Sequence, residues 1–92
     1  MMEFSIRRPT LTRGSRYRWD AVRGEHQLVF PEGLLVLNES GAAIVRHCDG
    51  RSLDELIASV ADQFEKVDVA QEVRTFLSRL YDKGLVRDAE GA

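Results

Sequence analysis

The stretch FPEGLLVLNESG, Phe30 to Gly41, sets the tightest limit on what this chain can become. Pro31 and Gly33 mark a turn, and Leu34, Leu35, Val36 and Leu37 follow without a polar residue before Asn38. A strand with one wet face alternates, because successive side chains point to opposite sides of the sheet. Four consecutive apolar residues therefore ask for two covered faces, and 92 residues leave little material to cover them. A domain of this size buries only about 60–65% of the surface its unfolded chain exposes. An apolar face left outside needs a reason.

The flanking segments show how the run is framed. Tyr17-Arg18-Trp19-Asp20 alternates as a half-buried strand does, and Arg23-Gly24 supplies a turn. His26 to Phe30 reads as a second strand. Pro31-Glu32-Gly33 then reads as a three-residue hairpin loop, with proline setting φ for a type I turn and glycine in the left-handed position after it. Leu34 to Leu37 is the third strand of an antiparallel meander whose free edges are the first and third strands.

Three helical segments follow. Asn38 is placed to cap the first, which carries Ile44, Val45 and Cys48 and is expected to run to Asp49-Gly50. Ser52-Leu53-Asp54-Glu55 is a capping box, and Leu53, Leu56, Ile57, Val60, Ala61 and Phe64 behind it keep helical spacing. Asp68 with Gln71 predicts a third cap. Val69, Val73, Phe76, Leu77 and Leu80 then form a stripe that ends at Gly84, after which Leu85 and Val86 are expected to tuck against the core. The predicted order is βββααα, an α+β fold in which a small sheet packs on three helices. It is winged helix-turn-helix-like, with the Glu65-Lys66-Val67 turn joining the last two helices.

Composition narrows the class further. At 43% hydrophobic and 30% charged, the chain reads as one soluble domain. A lone Cys48 cannot form an internal disulfide, and no run approaches the roughly 18 apolar residues of a membrane span, so a cytoplasmic setting is expected. The net charge of -2 hides an asymmetry: residues 1–23 hold six Lys/Arg against two acids, a net +4, which leaves -6 for the rest. Residues 1–14 are read as a flexible basic arm and 15–87 as the folded domain.

Enzymatic chemistry finds little support. His26 lies mid-strand, and His47 and Cys48 are sequence neighbours that point about 100° apart on a helix, so no nucleophile and base pair emerges. Two histidines and one cysteine are a poor zinc set. No glycine-rich phosphate loop is present. No catalytic residue, metal site or cofactor is expected. A helix-turn-helix raises nucleic-acid binding, but the start of the third helix carries Asp68 and Glu72 with Arg74 the only nearby cation, and carboxylates oppose phosphate contact. A nucleic-acid-binding winged-helix regulator is the alternative reading, and the basic arm is its support.

An unprotected edge strand suits another use. Native proteins blunt such edges with charge, proline or a bulge, and Leu34 to Leu37 has none of these. Strand addition by a peptide uses this kind of edge: backbone bonds give affinity and side-chain pockets give specificity. The third helix is expected to wall the groove, with Phe76 and Leu80 as an apolar floor and Arg79 and Lys83 as a cationic rim, while Leu35 and Leu37 of the strand shape it. The same bare edge is compatible with a weak or crystal homodimer, and an obligate dimer is not expected.

PEG followed by LN, then CDG closing the first helix and SLDEL opening the second, together with the RWD strand, resembles the PqqD family of pyrroloquinoline quinone (PQQ) biosynthesis. The resemblance runs from about Arg8-Pro9 to Leu85. It implies a non-catalytic peptide chaperone, a recognition element for ribosomally made, modified peptides. Such a protein binds the precursor peptide PqqA and presents it to PqqE, a radical S-adenosylmethionine enzyme that cross-links a glutamate to a tyrosine. It further implies that the peptide adds along Leu34 to Leu37, in the cleft that this strand makes with the helix from Asp68 to Lys83.

Overall fold

The computed structural model describes residues 6–65 and 68–90. Alternation and turns build the central sheet as expected. Strands β2 (Arg16–Asp20), β3 (Glu25–Phe30) and β4 (Gly33–Leu37) form an antiparallel meander in the order β2-β3-β4, following the short strand β1 (Pro9–Leu11). Gly24 closes the first turn at φ 65°, a backbone that favours glycine, and its N–H donates to the Asp20 carbonyl at 2.7 Å. The second turn differs from expectation. Phe30 pairs with Gly33, so the loop has two residues, Pro31 and Glu32, and Gly33 is the first residue of β4 with φ 158°. The strand begins one residue earlier because the ladder closes directly across the turn.

The helices are α1 (Glu39–Arg46), α2 (Leu53–Phe64) and α3 (Ala70–Asp82). Asn38 caps α1, its Oδ1 accepting the Gly41 N–H at 2.7 Å. The helix ends at Arg46, short of Asp49-Gly50, yet Cys48 still reaches the core at 5% exposure. The capping box of α2 is complete: Ser52 Oγ accepts from the Glu55 N–H, and the Glu55 carboxylate accepts from the Ser52 N–H. At α3 the expected Asp68 cap is absent. Val69 occupies the cap position with no side-chain bond, and Gln71 donates instead to Thr75 Oγ1 at 3.3 Å. Burial of Val69 decides where this helix starts, because an apolar anchor there fixes the entry of the chain. Of the turn between α2 and α3, residues 66 and 67 lie outside the described residues.

Leu28 of β3, Leu56 of α2, and Val73, Leu77 and Leu80 of α3 are almost wholly buried and knit sheet and helices into one core. Leu85 and Val86 join it as expected, but Val86 also opens a further strand, β5 (Val86–Asp88), which pairs antiparallel with β1. Part of the expected flexible arm is therefore structured. Ile6 is in the core, Pro9 pairs opposite Asp88, and the Arg7 and Arg8 N–H groups donate to the Asp88 carboxylate at 3.1 and 3.0 Å. The Arg7 carbonyl accepts the Leu53 N–H at 2.8 Å, which ties the start of α2 to the same segment. These partners are distant in sequence, so no local pattern announces the pairing. No described helix is long and apolar enough to cross a membrane.

Candidate functional site

β4 pairs with β3 on one side, and among the described residues no strand pairs with its other side. Register then determines which backbone groups are free. Phe30 and Gly33 close a two-residue loop and so form a hydrogen-bonded pair. Pairs alternate along an antiparallel ladder, so Leu28–Leu35 and His26–Leu37 are bonded as well, while Leu34 and Val36 turn their N–H and C=O groups outward. The edge thus offers two donors and two acceptors in the spacing that an added strand requires.

Side chains follow the complementary alternation. Leu37 is buried and Leu35 is half-buried against the core, on the helix side of the sheet. Leu34 and Val36 point to the other face and are 47% and 61% exposed. The run is apolar on both faces, but only one face is covered.

On the helix side, α3 stands beside this edge. A hollow of about 330 Å³ lies where the first turn of α1 meets α3, lined by Asn38, Gly41, Ile44, Thr75, Phe76 and Arg79 among others. A second, of about 540 Å³, is lined by Arg13, Phe30, Pro31, Leu35 and Lys83 among others. Arg79 rims the first and Lys83 the second, one helical turn apart, while Asn38 and Leu35 mark the matching ends of the strand. The two hollows therefore lie one helical turn apart along α3, one reaching Asn38 just after β4 and the other Leu35 within it. Gly41 lets its walls approach: a Cβ there would lie 3.2 Å from the Phe76 ring and 3.1 Å from Asn38 Oδ1.

Most of the residues expected at the site meet here. Leu35, Phe76, Arg79 and Lys83 line the two hollows, and the backbone of Leu34 and Val36 faces the open edge. Leu80 is corrected. At 1% exposure it lies in the core with Val73 and Leu77 of the same helix and shows a ligand no surface. Leu37 is likewise in the core, at 7% exposure, and lines neither hollow. The sequence reading missed the contribution of α1, namely Asn38, Gly41 and Ile44. A glycine inside a helix was the available signal, since it costs roughly 0.5–1 kcal/mol relative to alanine and implies a close approach.

Cys48, His47 and His26 are each constrained by their surroundings. Burial, with Asp49 nearby, pushes the Cys48 thiol up to about 12, and its S–H donates to the Ile44 carbonyl at 3.2 Å. His47 is held below its ordinary value, first by burial and then by Arg51. His26 has both ring nitrogens in contact, one with the Tyr17 hydroxyl at 2.7 Å and the other with the Glu39 carboxylate at 3.2 Å. Among the described residues no group of three or more His, Cys, Asp or Glu could hold a metal ion. The start of α3 exposes Asp68 and Glu72, a poor surface for phosphates.

Residues 25–86 match the family described as Coenzyme PQQ synthesis protein D (PqqD). The chain belongs to the PqqD family. Among its relatives, the PqqA binding protein of Azotobacter vinelandii is 38% identical over 71 residues, covering 75% of this chain and 77% of that one. The PqqA binding protein of Rhizobium meliloti is 38% identical over 73 residues, covering 76% and 74%. In structure, the chain resembles the PqqD truncation of Methylobacterium extorquens PqqCD, solved by NMR as a functional, stand-alone recognition element for ribosomally synthesised and modified peptides. The TM-score is 0.74 over 91% of this chain and 96% of that one, at 23% identity, a likeness of fold. The PqqD fold here is thus α+β, three antiparallel strands followed by three helices.

Proposed function

We propose that this chain is a peptide-binding chaperone of PQQ biosynthesis, which takes up the precursor peptide PqqA as an added strand on β4 and presents it to the radical S-adenosylmethionine enzyme PqqE. The observation that carries the reading is the free edge of β4, with the N–H and C=O groups of Leu34 and Val36 turned outward beside a groove walled by α3. Relatives named as PqqA binding proteins support the choice of ligand. Backbone pairing supplies affinity that tolerates many sequences, and the two hollows select alternate side chains of the peptide. Phe76 and Ile44 suit an apolar side chain; Arg13 and Lys83 suit an acidic one. The protein's part is to hold the peptide extended, and the chemistry belongs to the enzyme.

An NMR titration tests this. Unlabelled PqqA added to labelled protein should shift the amides of Leu34 to Leu37, together with those of Phe76, Arg79 and Lys83. A peptide that shifts none of these overturns the reading. Shifts produced only by a duplex DNA control would favour the nucleic-acid alternative instead.

A further inference from the structure

The face of the sheet turned away from the helices has no role in the groove. The register aligns Arg16, Val29 and Leu34 in one row across β2, β3 and β4, and Arg18, Gln27 and Val36 in the next. The core side of the same strands carries Tyr17, Leu28, Leu35 and Leu37, all packed against the helices. On the opposite side Leu34 and Val36 stay largely exposed, next to two exposed arginines. The acids of this face, Asp20 and Glu25, are occupied within it. Asp20 accepts from the Val22 and Arg23 N–H groups and from Gln27, and Glu25 accepts from Gln27. Arg16 and Arg18 form no close ion pair among the described residues, though, after the bond from the Arg23 N–H, the charge of Arg18 helps to hold the Asp20 carboxyl below its ordinary range. The buried Gln27 Oε1, in the middle row, has no hydrogen-bond partner there either.

We propose that this face, centred on Arg16, Arg18, Leu34 and Val36, is a second docking surface, and that its occupant is an acidic, apolar patch on the peptide-modifying enzyme. This rests on the function proposed above and names the surface by which the chaperone meets its enzyme. Two exposed arginines beside exposed leucine and valine have the composition of a protein interface, in which arginine is enriched and lysine depleted. A nucleic acid would satisfy the arginines and leave the apolar half wet. A second copy would bring four arginines together, which like-charge repulsion opposes. An acidic protein surface satisfies both halves.

The placement also couples the two ligands. A peptide added to β4 extends this face by one strand, so alternate peptide side chains stand directly beside Leu34 and Val36. An enzyme seated on the face touches chaperone and peptide as one continuous surface. Its affinity therefore rises when the peptide is bound.

The test uses the R16A/R18A and R16E/R18E double variants of the full chain, with PqqA and PqqE as probes. The substituted positions lie two strands from the peptide edge, so PqqA affinity should stay within about twofold of the parent. PqqE association, measured on the immobilised chain with PqqA present, should fall at least tenfold. It should also weaken with salt for the parent protein and less so for the variants. Variants that bind both PqqA and PqqE as the parent does overturn the proposal. So does a parent dimer that the variants convert to monomer, or duplex DNA binding that the variants lose. If the parent fails to bind PqqA, the function proposed above falls, and PqqE association without peptide decides the docking face by itself.

Discussion

Single residues divide the β4 segment into two kinds. Val36 turns its N–H outward, whereas Leu35 spends its N–H on the ladder with Leu28. Val36→Pro should therefore weaken PqqA binding about five- to tenfold, the worth of one backbone hydrogen bond at ~1 kcal/mol, and change the melting temperature little, since proline is tolerated where an edge N–H faces solvent. Leu35→Pro should do the reverse, unfolding the protein before binding can be compared. Calorimetry on both variants checks the register, and equal effects would contradict it. Cys48 offers a second residue-level test. Its folded thiol titrates near 12, above the ordinary 9.0, because burial disfavours the thiolate. Folding stability is therefore untouched by this group below pH 9 and falls as pH rises from 9 to about 12, where the unfolded chain releases the thiol proton and the folded one keeps it. At pH 8 a thiol reagent should modify Cys48 only in denaturant, and rapid labelling of the native protein would contradict its burial.

At the scale of elements, the β1–β5 ribbon turns an expected tail into structure. Asp88 receives the backbone N–H groups of Arg7 and Arg8, and Ile6 fills a place in the core. Ile6→Ala should thus cost ~2 kcal/mol, at the lower end of buried large-to-small changes. In a domain this size that lowers the melting temperature by on the order of 10 °C. Were residues 1–14 a free arm, the same substitution would leave the thermal transition where it is. The helices show why some boundaries were easy to locate. Ser52 and Glu55 form their capping box from residues three apart, so the sequence spacing is itself the structure. The start of α3 has no such local device, and its position follows from the burial of Val69.

Over the whole molecule, two pairs of exposed cations lie on opposite sides of the sheet. Arg79 and Lys83 rim the groove, while Arg16 and Arg18 lie on the other side of the sheet. Charge reversal at the rim, Arg79→Glu with Lys83→Glu, should lower PqqA affinity several-fold at low salt and much less at 0.5 M salt, because exposed charges act through a screened field. A loss independent of salt would mean that these side chains act by packing.

The amino-acid sequence by itself determined the hairpin of β3 and β4, the capped starts of α1 and α2, and the unprotected apolar edge, since turn residues, caps and alternation act over a few neighbouring positions. Tertiary structure alone decided the rest. The side-chain parity of β4 depends on pairing with β3, so Leu35 could be told from Val36 only after the register was set. The joining of Arg7 to Asp88, 81 positions apart, depends on the helices bringing the two ends together. The groove arises in the same way: α1 contributes Gly41, α3 contributes Phe76, and their contact exists only once both helices pack on one core. Local chemistry selects elements, whereas parity and convergence come from burying their apolar faces together.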